Sequence, residues 1–357
     1  MGQLWFGRIK MKIKKLNKNS EIQWEKLVNK NSKFQHLLKF KEVIEKTYKN
    51  CEARYYLNNR AIFPFFLVKS KLLGNRLISI PFLDTGGFLG DYTQEDAKEL
   101  LKVLKKEDIK HIEVRLNSSF KNIKQDEEIL TNLGFVKDSS KQQSIIKLKS
   151  EEEMWKNFHK HTRNDIRKAE KSGLILKKIE DEQELKKFYK LYIKNMKYFG
   201  TPQHSYAFFQ NLFEMKENVI GFNCYKEDIA GSIILFYNGK NGYISFNVSE
   251  PKYRQYRPND FLYWEIIKLA IKKGVKYLDL GQIDKDSSDQ RAIGLYKFKR
   301  KWLGDVHDRV YYYYDLEKKE NKSEKKDKLK KFRSIWKKIP SPILKLIGPK
   351  IASQLGT

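Results

Sequence analysis

The sequence predicts a mixed α/β protein of two similar domains, residues 1–150 and 151–316, followed by a basic tail, 317–357. Three observations carry this. At about 150 residues per domain, a length of 357 suggests two. Hydrophobic residues make up 40% of the chain and aromatics 13%, too much apolar side chain for a disordered protein. One order of elements (hairpin strands, then strand, loop, helix and strand) occurs once in each half.

In the first half, Ser20–Val28 and Leu37–Tyr48 have helical spacing. Ala53–Leu57 and Ile62–Lys69 read as a strand pair turning at Asn58-Asn59-Arg60. Leu77–Phe82 is an apolar strand that runs into the turn signal Asp84-Thr85-Gly86-Gly87. Thr93 caps an amphipathic helix reaching Leu104. Ile112–Leu116 is a strand, Glu127–Leu133 a short helix stopped by Gly134, and Ser144–Leu148 a strand.

The second half opens with helices Glu151–Phe158 and Asn164–Lys171, the latter ended by Gly173. Strand Leu174–Ile179 and helix Glu182–Met196 lead to the loop Gly200-Thr201-Pro202 and helix Tyr206–Met215. Val219–Lys226 and Ile229–Tyr237 form a hairpin around Glu227-Asp228. Strand Gly242–Val248, loop Tyr253–Asn259, helix Asp260–Lys273 and strand Tyr277–Leu280 follow. Lys297–Trp302 reads as a basic strand, and Val310–Tyr314 closes the half.

Lys and Arg number 73 against 44 Asp and Glu, a net charge of +29. Such a surface attracts polyanions: nucleic acid, anionic lipid or phosphorylated substrates. The tail holds 13 basic and 4 acidic residues. Within it Phe332, Ile335, Trp336 and Ile339 recur at helical spacing between lysines and Arg333, the pattern of an interfacial membrane helix. The same face could instead pack on the protein body.

Several classes are excluded. Two distant cysteines, Cys51 and Cys224, make neither a disulfide framework nor a four-cysteine zinc site. No run of 18 apolar residues occurs. The apolar patch Leu4-Trp5-Phe6 is too short for a signal-peptide core. The expected location is the cytoplasm, with Met1 or Met11 as the start. His159-x-His161 is the one close histidine pair, and at i, i+2 of a helix it points to different faces. No metal is expected. Nucleophile-elbow, Walker and Rossmann motifs are absent.

Three basic segments remain. Tyr253, Arg254, Tyr256, Arg257 and Asn259 surround a helix start, where backbone N–H groups and two arginines suit a phosphate. Arg163 and Arg167 are i, i+4 neighbours that could grip an anion together. In Tyr296-Lys297-Phe298-Lys299, a lysine beside an apolar wall can stabilise a developing oxyanion.

Read together, these segments resemble the Fem-type peptidoglycan-bridge aminoacyltransferases, and more closely the FemAB-like group associated with exosortase systems. The matching segments are Phe63-Pro64, Lys69 to Gly74, Ile78 to Phe82 with Gly86-Gly87, and Arg163 to Ala169. Gly200-Thr201-Pro202, Tyr256 to Asn259 and Phe298-Lys299 before Trp302 and Gly304 continue the order. The resemblance runs from about Trp24 to the end. It implies two tandem GNAT-like (acyl-CoA N-acyltransferase-like) domains that move an activated acyl group onto an amine.

The resemblance further implies aminoacyl-tRNA or acyl-CoA as donor co-substrate, no bound cofactor, and an amine-bearing cell-envelope precursor as acceptor. An anionic membrane surface is the expected partner of the tail, at the inner membrane face. Lys299 takes the family lysine's role in transition-state stabilisation, and Phe298 packs the site. Gly200, Thr201 and Pro202 join Arg163 and Arg167 as substrate or phosphate contacts. Two features depart from the family: no long helical arm is evident, and Leu303 separates Trp302 from Gly304. The turn at Arg257-Pro258-Asn259 lacks the glycines of a coenzyme A loop. Asp84 and Asp279, at strand ends near the cleft, are the candidate bases. The alternatives are a coenzyme A-dependent N-acyltransferase and a non-catalytic RNA- or membrane-binding adaptor.

Overall fold

The computed structural model describes residues 12–31, 33–117, 123–284, 290–316 and 332–356. Among them, eleven strands form one sheet. Its order is Ile175–Lys178, Val219–Tyr225, Ile229–Asn238, Asn241–Ser249, Tyr277–Ile283, Val136–Lys147, Asp305–Asp315, His111–Asn117, Arg76–Ile78, Phe66–Val68 and Cys51–Ala53.

The halves are built alike. In the second, an antiparallel ladder ends at Asn241–Ser249 and crosses through helix Pro258–Lys272 to the parallel strand Tyr277–Ile283. In the first, an antiparallel ladder ends at Arg76–Ile78 and crosses through helix Gln94–Leu104 to the parallel strand His111–Asn117. The halves then exchange their last strands. Val136–Lys147 pairs with Tyr277–Ile283, Asp305–Asp315 pairs with His111–Asn117, and the exchanged strands pair with each other. A cut near residue 150 would leave each half without its closing strand.

Local signals act as read. Thr93 accepts from the Asp96 N–H and Asp96 answers in kind, a capping box that starts the helix Gln94–Leu104. Other segments differ from expectation. The run Ile62–Lys69 is two strands. Ala61–Phe63 joins a small sheet with Lys14–Lys15, Tyr56–Leu57 and Leu89–Gly90, whereas Phe66–Val68 joins the large one. Pro64, which has no N–H for a ladder, stands at the break. Strand Arg76–Ile78 stops short of Phe82, whose φ is +66°. The supposed basic strand is part of a helix, Gln290–Arg300. Helical spacing brings Phe298 and Trp302 to one side, where both meet Tyr263, at ring distances of 4.9 and 5.5 Å.

One core cluster spans both halves. It packs Trp24, Phe40, Tyr48 and Phe66 of the first with Phe188, Tyr192, Phe208 and Phe236 of the second. The tail is buried in part as well. Helix 332–338 buries Trp336, 1% exposed and stacked on Phe332, and helix Ser341–Leu355 buries Leu344 and Ala352. Of the two outcomes left open for this face, Trp336 takes the packing one, while Ile335 stays exposed. The 317–331 stretch lies outside the described residues.

Polar contacts strap the tail across the halves. Gln203 Nε2 donates to Leu344 O at 2.6 Å, and Asn50 Nδ2 to Ser353 O at 3.2 Å. Arg76 and Arg115 donate to Leu355 O and Gly356 O, at 3.1 and 2.9 Å. Two guanidinium groups thus meet the negative end of that helix. A Cβ at Gly348 would overlap the Gln203 carboxamide, so glycine is what permits this close approach.

Candidate active site between the halves

Strands Asn241–Ser249 and Tyr277–Ile283 stay in register from Asn241–Tyr277 only as far as Tyr243–Asp279. Beyond that pair the ladder ends. The first strand also carries an extra residue, Ser245, in its pairing with Ile229–Asn238, a bulge that bends it. Lys299, from the helix Gln290–Arg300, is buried where the ladder ends. Its Nζ donates to Gln282 O at 2.9 Å, and a Cβ on Gly281 would stand 3.3 Å from it. Burial pushes the Lys299 pKa down, to about 8; Arg309 adds to the effect, and Asp279 and Asp84 oppose it.

Asp279 and Tyr243 also line a pocket of about 620 Å³ between the halves. The first half contributes Lys30, Lys33, Gln35, Thr85 and Asp126, and the second Tyr277, Asp305 and His307. Burial lowers the pKa of Lys33 to about 8, against the field of Asp279. Asp279 is itself raised by burial, while Arg309 and the Gly281 N–H, 2.7 Å from its Oδ1, pull it down. Asp126 is 3% exposed and accepts from Tyr92 Oη at 2.6 Å. Burial raises its pKa to about 6, opposed by that hydrogen bond.

Arg309 anchors this region from beneath. It is fully buried, with Nη1 2.9 Å from Asp84 Oδ1 and Nε donating to Gln143 Oε1 at 2.9 Å. Tyr243 Oη donates to the other Asp84 oxygen. Burial alone would raise Asp84, but Arg309 and Tyr243 outweigh it and hold the carboxyl below its ordinary value. Arg309 and Gln143 lie on the two exchanged strands, Asp84 on a first-half loop and Tyr243 on a second-half strand. The strand exchange therefore assembles the cluster. Asp84 is a fixed counter-ion to Arg309, which corrects its reading as a free base, and Asp279 is the carboxyl on the pocket wall.

The remaining residues singled out in the sequence lie elsewhere, and none lines the pocket. Phe298 packs on Tyr263. Arg163 and Arg167 do not converge on one anion. Arg163 Nη1 donates to Phe158 O and Lys156 O, at 2.6 and 3.1 Å, closing the preceding helix, while Arg167 lies over the Trp155 ring at 5.3 Å. Gly200, at the start of the Gly200-Thr201-Pro202 loop, lies against the tail: a Cβ on it would come 2.8 Å from Arg333 O.

Around the helix start, Arg257 adopts φ +59° and pairs with Asp165 at 3.3 Å. Lys301 joins Asp165 to Asp260. Tyr253 is buried, Tyr256 lies under Lys226 Nζ at 5.2 Å, and Arg254 is exposed. Asn259 donates to Ser249 Oγ at 3.2 Å. Pro258 opens this helix without an N–H to offer, so the end is a poor pyrophosphate cradle.

His159 caps a helix, its Nδ1 accepting from the His161 N–H. Both cysteines are buried, free thiols. Among the described residues no His, Cys, Asp and Glu group could hold a metal ion, and no helix is long and apolar enough to cross a membrane. Sequence reading missed Lys33, Asp126, Tyr243 and Arg309. None of them stands out locally: Arg309 follows Asp308 in the mixed run Asp305-Val306-His307-Asp308.

A family described as an acetyltransferase (GNAT) domain matches residues 156–300. The lipid II:glycine glycyltransferases of Staphylococcus haemolyticus and Staphylococcus epidermidis are each 32% identical to this chain over 75 residues. That segment is 21% of this chain, and the chain spans only 18% of the length of those relatives. Among solved structures, FemX superposes with a TM-score of 0.68 at 16% identity, covering 86% of this chain and 98% of that one. A tandem GNAT protein from the clavulanic acid biosynthesis pathway gives 0.56 at 7% identity, covering 87% and 100%. L-PGS from Bacillus licheniformis gives 0.55 at 10%, covering 91% and 99%. The class is therefore a GNAT-fold protein of the tandem kind. Residues 156–300 are thus similar to a GNAT domain, and the chain has the fold of FemX.

Proposed function

We propose that the chain transfers an aminoacyl or other acyl group from an activated ester or thioester onto an amine of a cell-envelope precursor. The observation that carries this is Asp279, which lines the pocket between the halves and feels the charge of the buried Lys299 behind it. The donor carbonyl is placed toward Lys299 and the acceptor amine approaches from the pocket. The amine nitrogen bonds to the carbonyl carbon, and the π pair moves onto oxygen. The Lys299 ammonium stabilises that oxyanion, a contribution of about 3 kcal/mol. Asp279 takes the proton from nitrogen. The C–O or C–S bond then breaks and the leaving group receives the proton. Lys30 and Lys33 supply positive charge for a phosphate-bearing acceptor.

Aminoacyl-tRNA is the favoured donor. Pro258 and the engaged Arg257 argue against a coenzyme A cradle, while the exposed Arg167 and Arg254 suit a polyanion. The names of the staphylococcal relatives support an acceptor of the lipid-linked cell-wall class. Such an acceptor would put the protein in the cytoplasm at the inner membrane face, against anionic lipid. The halves 1–150 and 151–316 are proposed as paired repeats that share one sheet, with 317–357 as the tail. A coenzyme A-dependent N-acyltransferase is the second reading, favoured by the GNAT domain match.

Titration with charged tRNA, deacylated tRNA and acetyl-coenzyme A at two salt concentrations tests the donor. The expected result is a preference for charged over deacylated tRNA. Binding of acetyl-coenzyme A without that preference would install the second reading.

A further inference from the structure

We infer that the outward face of the C-terminal helices, with the Leu72-Leu73 loop, is a docking surface for an anionic lipid bilayer. Trp336 and Leu344 are spent on the core, so their helices present other residues to solvent. Ile335 is 55% exposed, Ile343 48% and Leu346 73%. At one end of this face, Tyr198 and Phe199 are exposed where the preceding helix meets the tail at Gly200. At the other, the N–H groups of Lys71 and Leu72 donate to Gln354 Oε1, which sets the exposed Leu72 and Leu73 beside the helix end. The helix Ser341–Leu355 between them has 15 residues, about 22 Å of length.

Charge selects the occupant. Residues 332–357 carry five basic side chains, Arg333, Lys337, Lys338, Lys345 and Lys350, and no Asp or Glu. Exposed aliphatic and aromatic side chains interleaved with cations, lying flat on the surface, match a membrane interface with anionic headgroups. An RNA surface would use the cations and leave Leu72, Leu73 and Leu346 without a role. The helix end is tied by one hydrogen bond to a segment that runs into the pocket wall. Phe82 N–H donates to Gly356 O at the helix end, and the next residue, Leu83, lines the pocket. A bilayer held here keeps a lipid-linked acceptor within reach. That last step rests on the proposed function, whereas the docking itself does not.

The test is co-sedimentation of the full chain with vesicles. Mixed phosphatidylglycerol and phosphatidylcholine vesicles should pellet the protein, and pure phosphatidylcholine vesicles should do so at least about tenfold less well. Leu72→Ser, Leu73→Ser and Leu346→Ser, all at exposed positions, should together weaken vesicle binding by about tenfold or more with an unchanged melting temperature. Lys345→Glu with Lys350→Glu is the second variant and should weaken it similarly. Failure of the wild type to pellet with anionic vesicles overturns the inference. So does undiminished vesicle binding by both variants, or a loss confined to tRNA binding, which would make the face an RNA surface. Acyl transfer to a water-soluble amine, measured alongside, should be unaffected in both variants, so a failed docking surface and a failed transferase give different results.

Discussion

Lowering the pH from 7 to 5 should loosen the fold through two histidines. His36 is fully buried, its Nε2 bonded to Gly87 O at 2.9 Å. His204 is 7% exposed, hydrogen-bonded through Nδ1 to Tyr48 Oη at 2.7 Å and stacked on Phe208. Burial pushes each pKa down to about 3; for His36 the Gly87 carbonyl opposes and Lys33 reinforces the shift. In the unfolded chain both titrate near 6.5. Below that pH the unfolded state binds protons that the native state refuses, so stability falls from about 6.5 toward 3. At pH 5 each histidine costs about 2 kcal/mol, or ~4 together. Asp126 works the other way, since its native pKa of about 6 lies above the unfolded carboxyl value. It returns about 1 kcal/mol at pH 5. The net loss, about 3 kcal/mol, is large against a typical total of ~5–15 kcal/mol. The urea midpoint should therefore drop between pH 7 and 5. Ring-proton NMR should find two of the six histidines still neutral at pH 5. An unchanged or higher midpoint, or six rings titrating near the free value, would refute the reasoning.

Two further outcomes follow from packing. Arg309→Met removes the buried partner of Asp84 and should destabilise by about 3 kcal/mol in urea titration. That is the low end of the range for broken buried pairs, because the Asp84 side chain is 36% exposed. Gly348→Ala should lower the melting temperature by several degrees, about 1–3 kcal/mol of overpacking against Gln203, and a neutral result would remove the tail from the fold's support.

Local signals in this chain were legible and long-range ones were not. Thr93 and Gly134 punctuate helices by chemistry within a few residues, and the structure puts boundaries where they stand. The repeated order of elements likewise announced two similar halves. The strand exchange left no trace, because Val136–Lys147 reads the same whichever strand it pairs with. Lys297 to Lys299 was misread for a related reason. A short alternation of aromatic and lysine fits period 2, and only Trp302, a turn further on, decides for a helix. The site divides similarly. Asp279, on the pocket wall, and the buried Lys299 were both singled out in the sequence, the first as a strand end and the second through a motif. Lys33 and Asp126 sit in ordinary surface-like segments and become site residues only when the halves close over them.

The central claim is tested most directly by single-turnover transfer of a radiolabelled aminoacyl group from tRNA to an amine acceptor. The purified chain should move label into an alkali-stable amide. Lys299→Met, which keeps the side-chain volume, should do so about 10²–10³-fold more slowly while retaining the wild-type melting profile. Label that leaves tRNA only at the buffer hydrolysis rate, or a Lys299→Met variant as fast as the wild type, would contradict the account.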